Sequence, residues 1–179
     1  MILGAKNILC LFILMIVMGC EDDKSSAVKQ ETQEQIEART ISEEDIEQIE
    51  YLEFGLSQDS KVAVEDWQKY NELSKQITFL KNADLSFFTS ESELIRTFTR
   101  EFRAEMPKEL KTKEILARIT ALDTKIQKLN SQLRLSTSSK QEKLKCIEEL
   151  LIAFRNLKLQ INKKFEFEKN NILRPANTV

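Results

Sequence analysis

From Ser42 onward, apolar residues recur every three or four positions, the period of an amphipathic helix. No stretch of β-branched alternation runs longer than a few residues. The spacing predicts a first helix starting at Ser42, an N-cap residue with Asp45 in an acidic first turn. Ile46, Ile49, Leu52 and Leu56 form its apolar stripe, and Gly55 suits an end near there. A second helix follows Asp59-Ser60 and carries Val64, Trp67, Tyr70, Leu73, Ile77 and Leu80. A third is announced by Ser90 with Glu93, the spacing of a capping box. Its stripe is Leu94, Ile95, Phe98 and Phe102, and Pro107 stops or kinks it.

The fourth helix has the most regular pattern. Ile115, Ile119, Leu122, Ile126, Leu129 and Leu133 follow one another at steps of four, three, four, three and four, a heptad seam suited to a shallow crossing angle. Ser136-Thr137-Ser138-Ser139 interrupts it, and Ser139 with Glu142 offers a further capping box. The fifth helix carries two adjoining stripes: Leu144, Ile147, Leu151 and Phe154 beside Cys146, Leu150, Ala153 and Leu157, continued by Ile161 and Phe165. An arc that wide needs at least two packing neighbours, which puts this helix at the centre. A four-residue break between two long helices demands an antiparallel hairpin. The expected fold is therefore all-α: an antiparallel four- or five-helix bundle with a long C-terminal helical hairpin, spanning residues 41–169. After Lys169 the segment 170–179 is expected to leave the helix and fray.

The N-terminal residues follow another pattern. Lys6 precedes an unbroken apolar run from Ile8 to Met18, then come Gly19, Cys20 and Glu21-Asp22-Asp23. Eleven apolar residues span only ~16 Å as a helix, about half a bilayer core, which fits a secretory signal better than a spanning helix. Through Val17-Met18-Gly19-Cys20 this stretch resembles the lipobox of bacterial lipoprotein precursors. The resemblance covers about twenty residues. It implies that residues 1–19 are a signal peptide, that the Gly19–Cys20 bond is cut, and that Cys20 carries the acyl chains. The competing reading is an uncleaved N-terminal anchor made of residues 1–19. Either way the body of the chain would stand outside the inner membrane. The acidic triplet resembles export signals of surface lipoproteins in Bacteroidota-type envelopes, while in enterobacteria such residues resemble inner-membrane retention signals. The expected address is the cell envelope, at the outer membrane or cell surface, with the outer leaflet of the inner membrane as the alternative. Residues 20–40 are polar apart from Val28 and Ile36 and read as a lipidated, acidic, flexible tether. Twenty residues reach about 25 Å as a coil and at most ~70 Å extended.

Composition removes most catalytic chemistry. There is no histidine, and the three glycines and three cysteines supply no phosphate loop and no cysteine–histidine pair. No cofactor, metal or nucleic acid is expected. Cys146 reads as a small buried hydrophobe. Glu91-Ser92 matches the catalytic pair of lytic transglycosylases, but that family's glycine-rich helical motif is missing downstream, and helix capping accounts for Glu91 and Glu93. Glu43, Glu47 and Glu50 lie at helical spacing without any calcium loop and read as a solvated face. Trp67 and Tyr70 read as core, with stacking on a sugar or peptide as the alternative.

Charge is distributed unevenly. Residues 21–66 hold fifteen acids and four bases, net −11, and residues 67–179 hold fourteen acids and twenty-two bases, net +8. Arg96, Arg100 and Arg103 make one helical stripe, extended by Lys108, Lys111 and Lys113. They read either as a contact for an anionic partner or as the internal match to the acidic first helix, with local pairs such as Glu93–Arg96. The expected function is a non-catalytic, membrane-anchored module presenting a surface to a protein partner in the envelope. The alternatives are an immunity or inhibitor lipoprotein that blocks a toxin or hydrolase, and an accessory envelope enzyme.

Overall fold

The computed structural model describes residues 39–172, which belong to a compact unit spanning residues 34–179. Val17, Gly19 and Cys20, together with the rest of the expected signal peptide and most of the expected tether, lie outside the described residues, as does the segment after Ile172. The described residues form an all-α fold without strands, with six α-helices: α1 (Glu43–Glu47), α2 (Gln58–Val64), α3 (Gln68–Lys81), α4 (Ser92–Ala104), α5 (Lys113–Arg134) and α6 (Lys140–Ile172). Single 3-10 turns at Phe87–Thr89 and Lys108–Leu110 join α3 to α4 and α4 to α5.

The hairpin of α5 and α6 is the frame. Ile115, Ile119, Leu122, Ile126 and Leu129 of α5 are all buried, as the heptad seam requires, and Leu133 is partly so. Facing them, α6 buries Cys146, Ile147, Leu150, Leu151, Ala153, Phe154, Leu157 and Ile161, both expected stripes at once. The turn is fixed by Ser139, whose Oγ accepts from the Glu142 amide while its own amide donates to the Glu142 carboxylate. Lys125 and Lys128 of α5 both reach Glu149 of α6, at 3.0 and 2.7 Å. Helix α6 is 33 residues long, ~50 Å, and continues through residues 170–172 where fraying was expected.

The first half of the bundle departs from the expected helices in three places. Helix α1 begins at Ser42 with the full capping box but ends at Glu47 after five residues. Leu52 is therefore not part of a helical stripe; it is 66% exposed. Residues 48–57 form an irregular strap held by polar contacts with the long helices. Glu53 bridges Lys81 and Lys158 at 2.6 and 3.1 Å, Arg155 donates to the Leu52 carbonyl, and Asn162 pairs with both the Gly55 carbonyl and the Ser57 amide. Between them these side chains satisfy strap carbonyls and an amide that no helix would serve.

The expected second helix is two helices. Helix α2 starts at Gln58, capped by Ser57, and stops at Val64. The Asn71 amide donates to the Glu65 carbonyl, so a side chain closes α2 where its backbone ladder stops. The break lets Trp67 turn inward ahead of α3 while Ala63 and Val64 stay buried. Helix α3 ends in a Schellman arrangement: the amides of Ala83 and Asp84 donate to the carbonyls of Leu80 and Phe79. Ala83 has φ of 59°, a conformation that usually falls to glycine.

Helix α4 starts at Ser92, and the expected Ser90–Glu93 capping box is absent. The Ser90 carbonyl is turned instead toward Asn130 and Arg134, and Glu93 pairs with Arg96. Leu94 is 63% exposed rather than in the stripe, whereas Ile95, Phe98 and Phe102 are buried. The helix stops at Ala104, ahead of Pro107, as expected.

Glu53 gives the strap a pH signature. Hydrogen bonding from Lys81, then from Lys158, lowers its carboxyl from the ordinary 4.5 to about 2. A depressed folded-state pKa contributes stability above the unfolded value that is lost as pH falls through the folded one. Because the Glu53 side chain is half exposed, solvent screening holds this contribution to under about 1 kcal/mol. Glu53→Gln should therefore lower the urea midpoint slightly at pH 7, and the gap to wild type should close between about pH 4.5 and pH 2.

Candidate functional site

The arginine stripe lies on the side of α4 that borders α5. Arg96, Arg100 and Arg103 are all exposed. The Arg103 guanidinium donates to Thr120 Oγ1 on α5, and Arg100 donates to Thr97 Oγ1 one turn back on its own helix. Arg96 meets Glu93 at 3.5 Å, both side chains well exposed. Among the described residues neither Arg100 nor Arg103 has a carboxylate within ion-pair distance.

The internal charge match exists, but other residues make it. Asp45 of α1 pairs with Lys140 at 2.6 Å, Glu53 with Lys81 and Lys158, and Asp59 with Lys169. Lys140, then the Ser42 amide, holds the Asp45 carboxyl below its usual range. The acidic first half is thus matched by lysines of α3 and α6, and the arginines of α4 are not drawn into it. Residue type alone carried no hint of this division; it follows from α1 and the strap packing on α3 and α6.

The remaining candidates resolve into structural roles. Cys146 is buried, and burial pushes its thiol above the usual range, which leaves it protonated at neutral pH. Trp67 is fully buried; its indole N–H donates to the Phe102 carbonyl at 3.0 Å and its ring packs on Phe102 and Tyr70. Tyr70 is also buried, its hydroxyl raised by desolvation, so neither ring offers a face to a sugar or peptide. Glu91 pairs with Arg134 at 3.2 Å and Ser92 donates to Asn130, which engages both members of the Glu-Ser pair in joining α4 to α5. Glu50 lies beyond the end of α1, so Glu43, Glu47 and Glu50 do not share a helical face. No group of three His, Cys, Asp or Glu among the described residues is placed to hold a metal ion.

Sequence reasoning missed Asn130, which was hidden inside the helical pattern of α5. It is buried, and its amide donates to the carbonyls of Phe88 and Ser90 while its oxygen accepts from Ser92. A polar residue next to Leu129, within one turn of the seam, was the available signal.

Two open grooves accompany these elements. One of about 580 Å³ lies between α2, α3 and Lys158 of α6; the other, of about 820 Å³, runs along the last turns of α6 beside Thr112 and Glu114, with Phe167 67% exposed at its edge. The second carries the Lys164–Glu168 ion pair, at 2.9 Å, on its wall. Among the described residues no helix is long and apolar enough to cross a membrane. The chain matches no protein-family model, no curated protein and no solved structure.

Proposed function

We propose that this chain is a lipid-anchored lipoprotein of the bacterial cell envelope whose helical domain is non-catalytic and binds another envelope protein. The observation that carries the anchor is Val17-Met18-Gly19-Cys20 closing an apolar run too short to span a bilayer. Two or more acyl chains on Cys20 make such anchoring stable, where one chain gives only reversible binding. The mechanism is placement: lipid fixes the location, residues 20–40 set the reach, and confinement raises the effective concentration at the partner. The unneutralised arginines on α4 support a binding role, since exposed, complementary charge steers encounter and selects partners.

One experiment addresses both halves. Cells expressing the full chain are fed labelled palmitate, crosslinked, and the protein is captured from a detergent extract. The expected result is a labelled protein bringing down one stoichiometric envelope protein. Cys20→Ala should lose the label and leave the membrane fraction. A Cys20→Ala form that stays labelled overturns the anchor, and a captured wild-type protein with no companion overturns the binding role.

A further inference from the structure

Resting on the reading of this domain as a protein-binding module, we infer that the arginine face of α4 receives an acidic helix of a partner protein, with carboxylates at helical spacing. Arg96, Arg100 and Arg103 stand at steps of four and three, so three guanidinium groups are spread over about 10 Å of one helix side. Thr97 and Thr120 orient two of them through neutral hydroxyl oxygens, which fixes direction and leaves the charge uncompensated. Half of the lysines among the described residues are spent: Lys69, Lys81, Lys125, Lys128, Lys140, Lys158, Lys164 and Lys169 each meet a carboxylate, while Lys108, Lys111 and Lys113, which extend the arginine row along the chain, meet none among the described residues.

The occupant follows from spacing and from what borders the row. A helix bearing Glu or Asp at steps of four and three repeats with the same rise, so one partner helix laid along α4 sets a carboxylate against each arginine. The planar fork of each guanidinium suits two-point contact with a carboxylate. The adjoining outer side of α5 presents Ala117, Thr120 and Thr124, all exposed and too short to obstruct that approach. A continuous anionic surface such as a membrane fits less well. Glu93 stands beside Arg96 on α4, and a sheet of phosphates would press on that carboxylate as well. The exposed apolar residue of α4, Leu94, points from the far side of the helix and could not insert alongside the row.

The full chain, held in phosphatidylcholine nanodiscs, is titrated with a fluorescein-labelled helical 21-mer carrying glutamates at steps of four and three. A second peptide of identical composition has its glutamates scattered around the helix. At low salt the in-register peptide should bind at least tenfold tighter than the scattered one. Arg100→Glu with Arg103→Glu should remove at least tenfold of that affinity with unchanged helicity. Lys75→Glu with Lys145→Glu, the same charge change at exposed sites elsewhere, should change it less than twofold. Equal binding of both peptides, or equal loss in both double variants, overturns the inference by making the effect one of bulk charge. Selective association with phosphatidylglycerol vesicles, absent for the peptide, overturns it in favour of a lipid surface. The broader reading is separable: if envelope capture succeeds equally with Arg100→Glu/Arg103→Glu, the module binds protein through another face.

Discussion

Trp67→Ala should lower the free energy of unfolding by about 4 kcal/mol, the largest loss expected from a single truncation in this domain. Trp67 is fully buried in front of α3, its ring 4.6 Å from Phe102 and 5.4 Å from Tyr70 by centroid distance. Its removal leaves a cavity where α3 meets α4, and strips the partner from the Phe102 carbonyl. Because it is also the sole tryptophan, the variant must be followed by helical circular dichroism, while the wild type can be followed by its fluorescence. Trp67→Phe separates the two contributions: it retains most of the packing and loses the indole hydrogen bond, which is worth about 1 kcal/mol. Equal urea midpoints for wild type and Trp67→Ala would contradict the packing described.

Asn130→Leu should cost about 2 to 4 kcal/mol although it adds apolar volume to a helix whose neighbours are isoleucine and leucine. The Asn130 amide reaches Phe88 O at 2.9 Å and also holds Ser90 O at 2.8 Å. Phe88 is itself fully buried, so its carbonyl has little access to replacement water. A leucine at 130 satisfies none of these groups. Ser92→Ala, which removes only one partner of the same network, should cost about 1 kcal/mol. Chemical denaturation of the two single variants and the double variant measures the coupling: a double variant no worse than Asn130→Leu alone is expected, because the Ser92 bond is already gone.

The hairpin was legible because both of its signals are local. A strict four-three repeat on α5 and a doubled stripe on α6 each declare what must be buried, and Ser139 with Glu142 marks the turn between them. The first half was harder to read, because periodicity continues through places where the backbone does not. Ile46, Ile49 and Leu56 keep a helical spacing, yet the chain from Gln48 to Ser57 is tied down by Glu53, Arg155 and Asn162, contacts with residues up to 107 positions away. Likewise Trp67 fits the stripe Val64–Tyr70, and only packing against Phe102 reveals that it sits at a break between two helices. Ser90 and Glu93 have the spacing of a cap, but Asn130 and Arg134 claim the Ser90 carbonyl and move the helix start to Ser92. Of the candidate site, the sequence displayed the arginine row; which cations the acids would take depended on tertiary placement of α1 and the strap.

Helix α1 also decides how the domain would answer a mechanical load. The described chain begins at Arg39, beside the α5–α6 turn, where Arg39 and Thr40 share a hollow with Leu133, Leu135 and Lys143. A force drawn through Arg39 acts on Arg39 and Thr40 and then on α1, ahead of the rest of the domain. Its five residues are held by the burial of Ile46 and by the Asp45–Lys140 pair, with Ile41 buried just ahead of them, far less than the hairpin seam holds. These contacts would yield first, followed by the polar strap, paying out residues 41–57 as up to ~60 Å of slack. Helices α3 to α6, and the arginine face they carry, would stay assembled while the leash lengthened. The weak first helix would then act as a mechanical fuse, giving the domain extra travel under tension while uncovering only the part of the core that Ile41, Ile46, Ile49, Tyr51 and Leu56 cover.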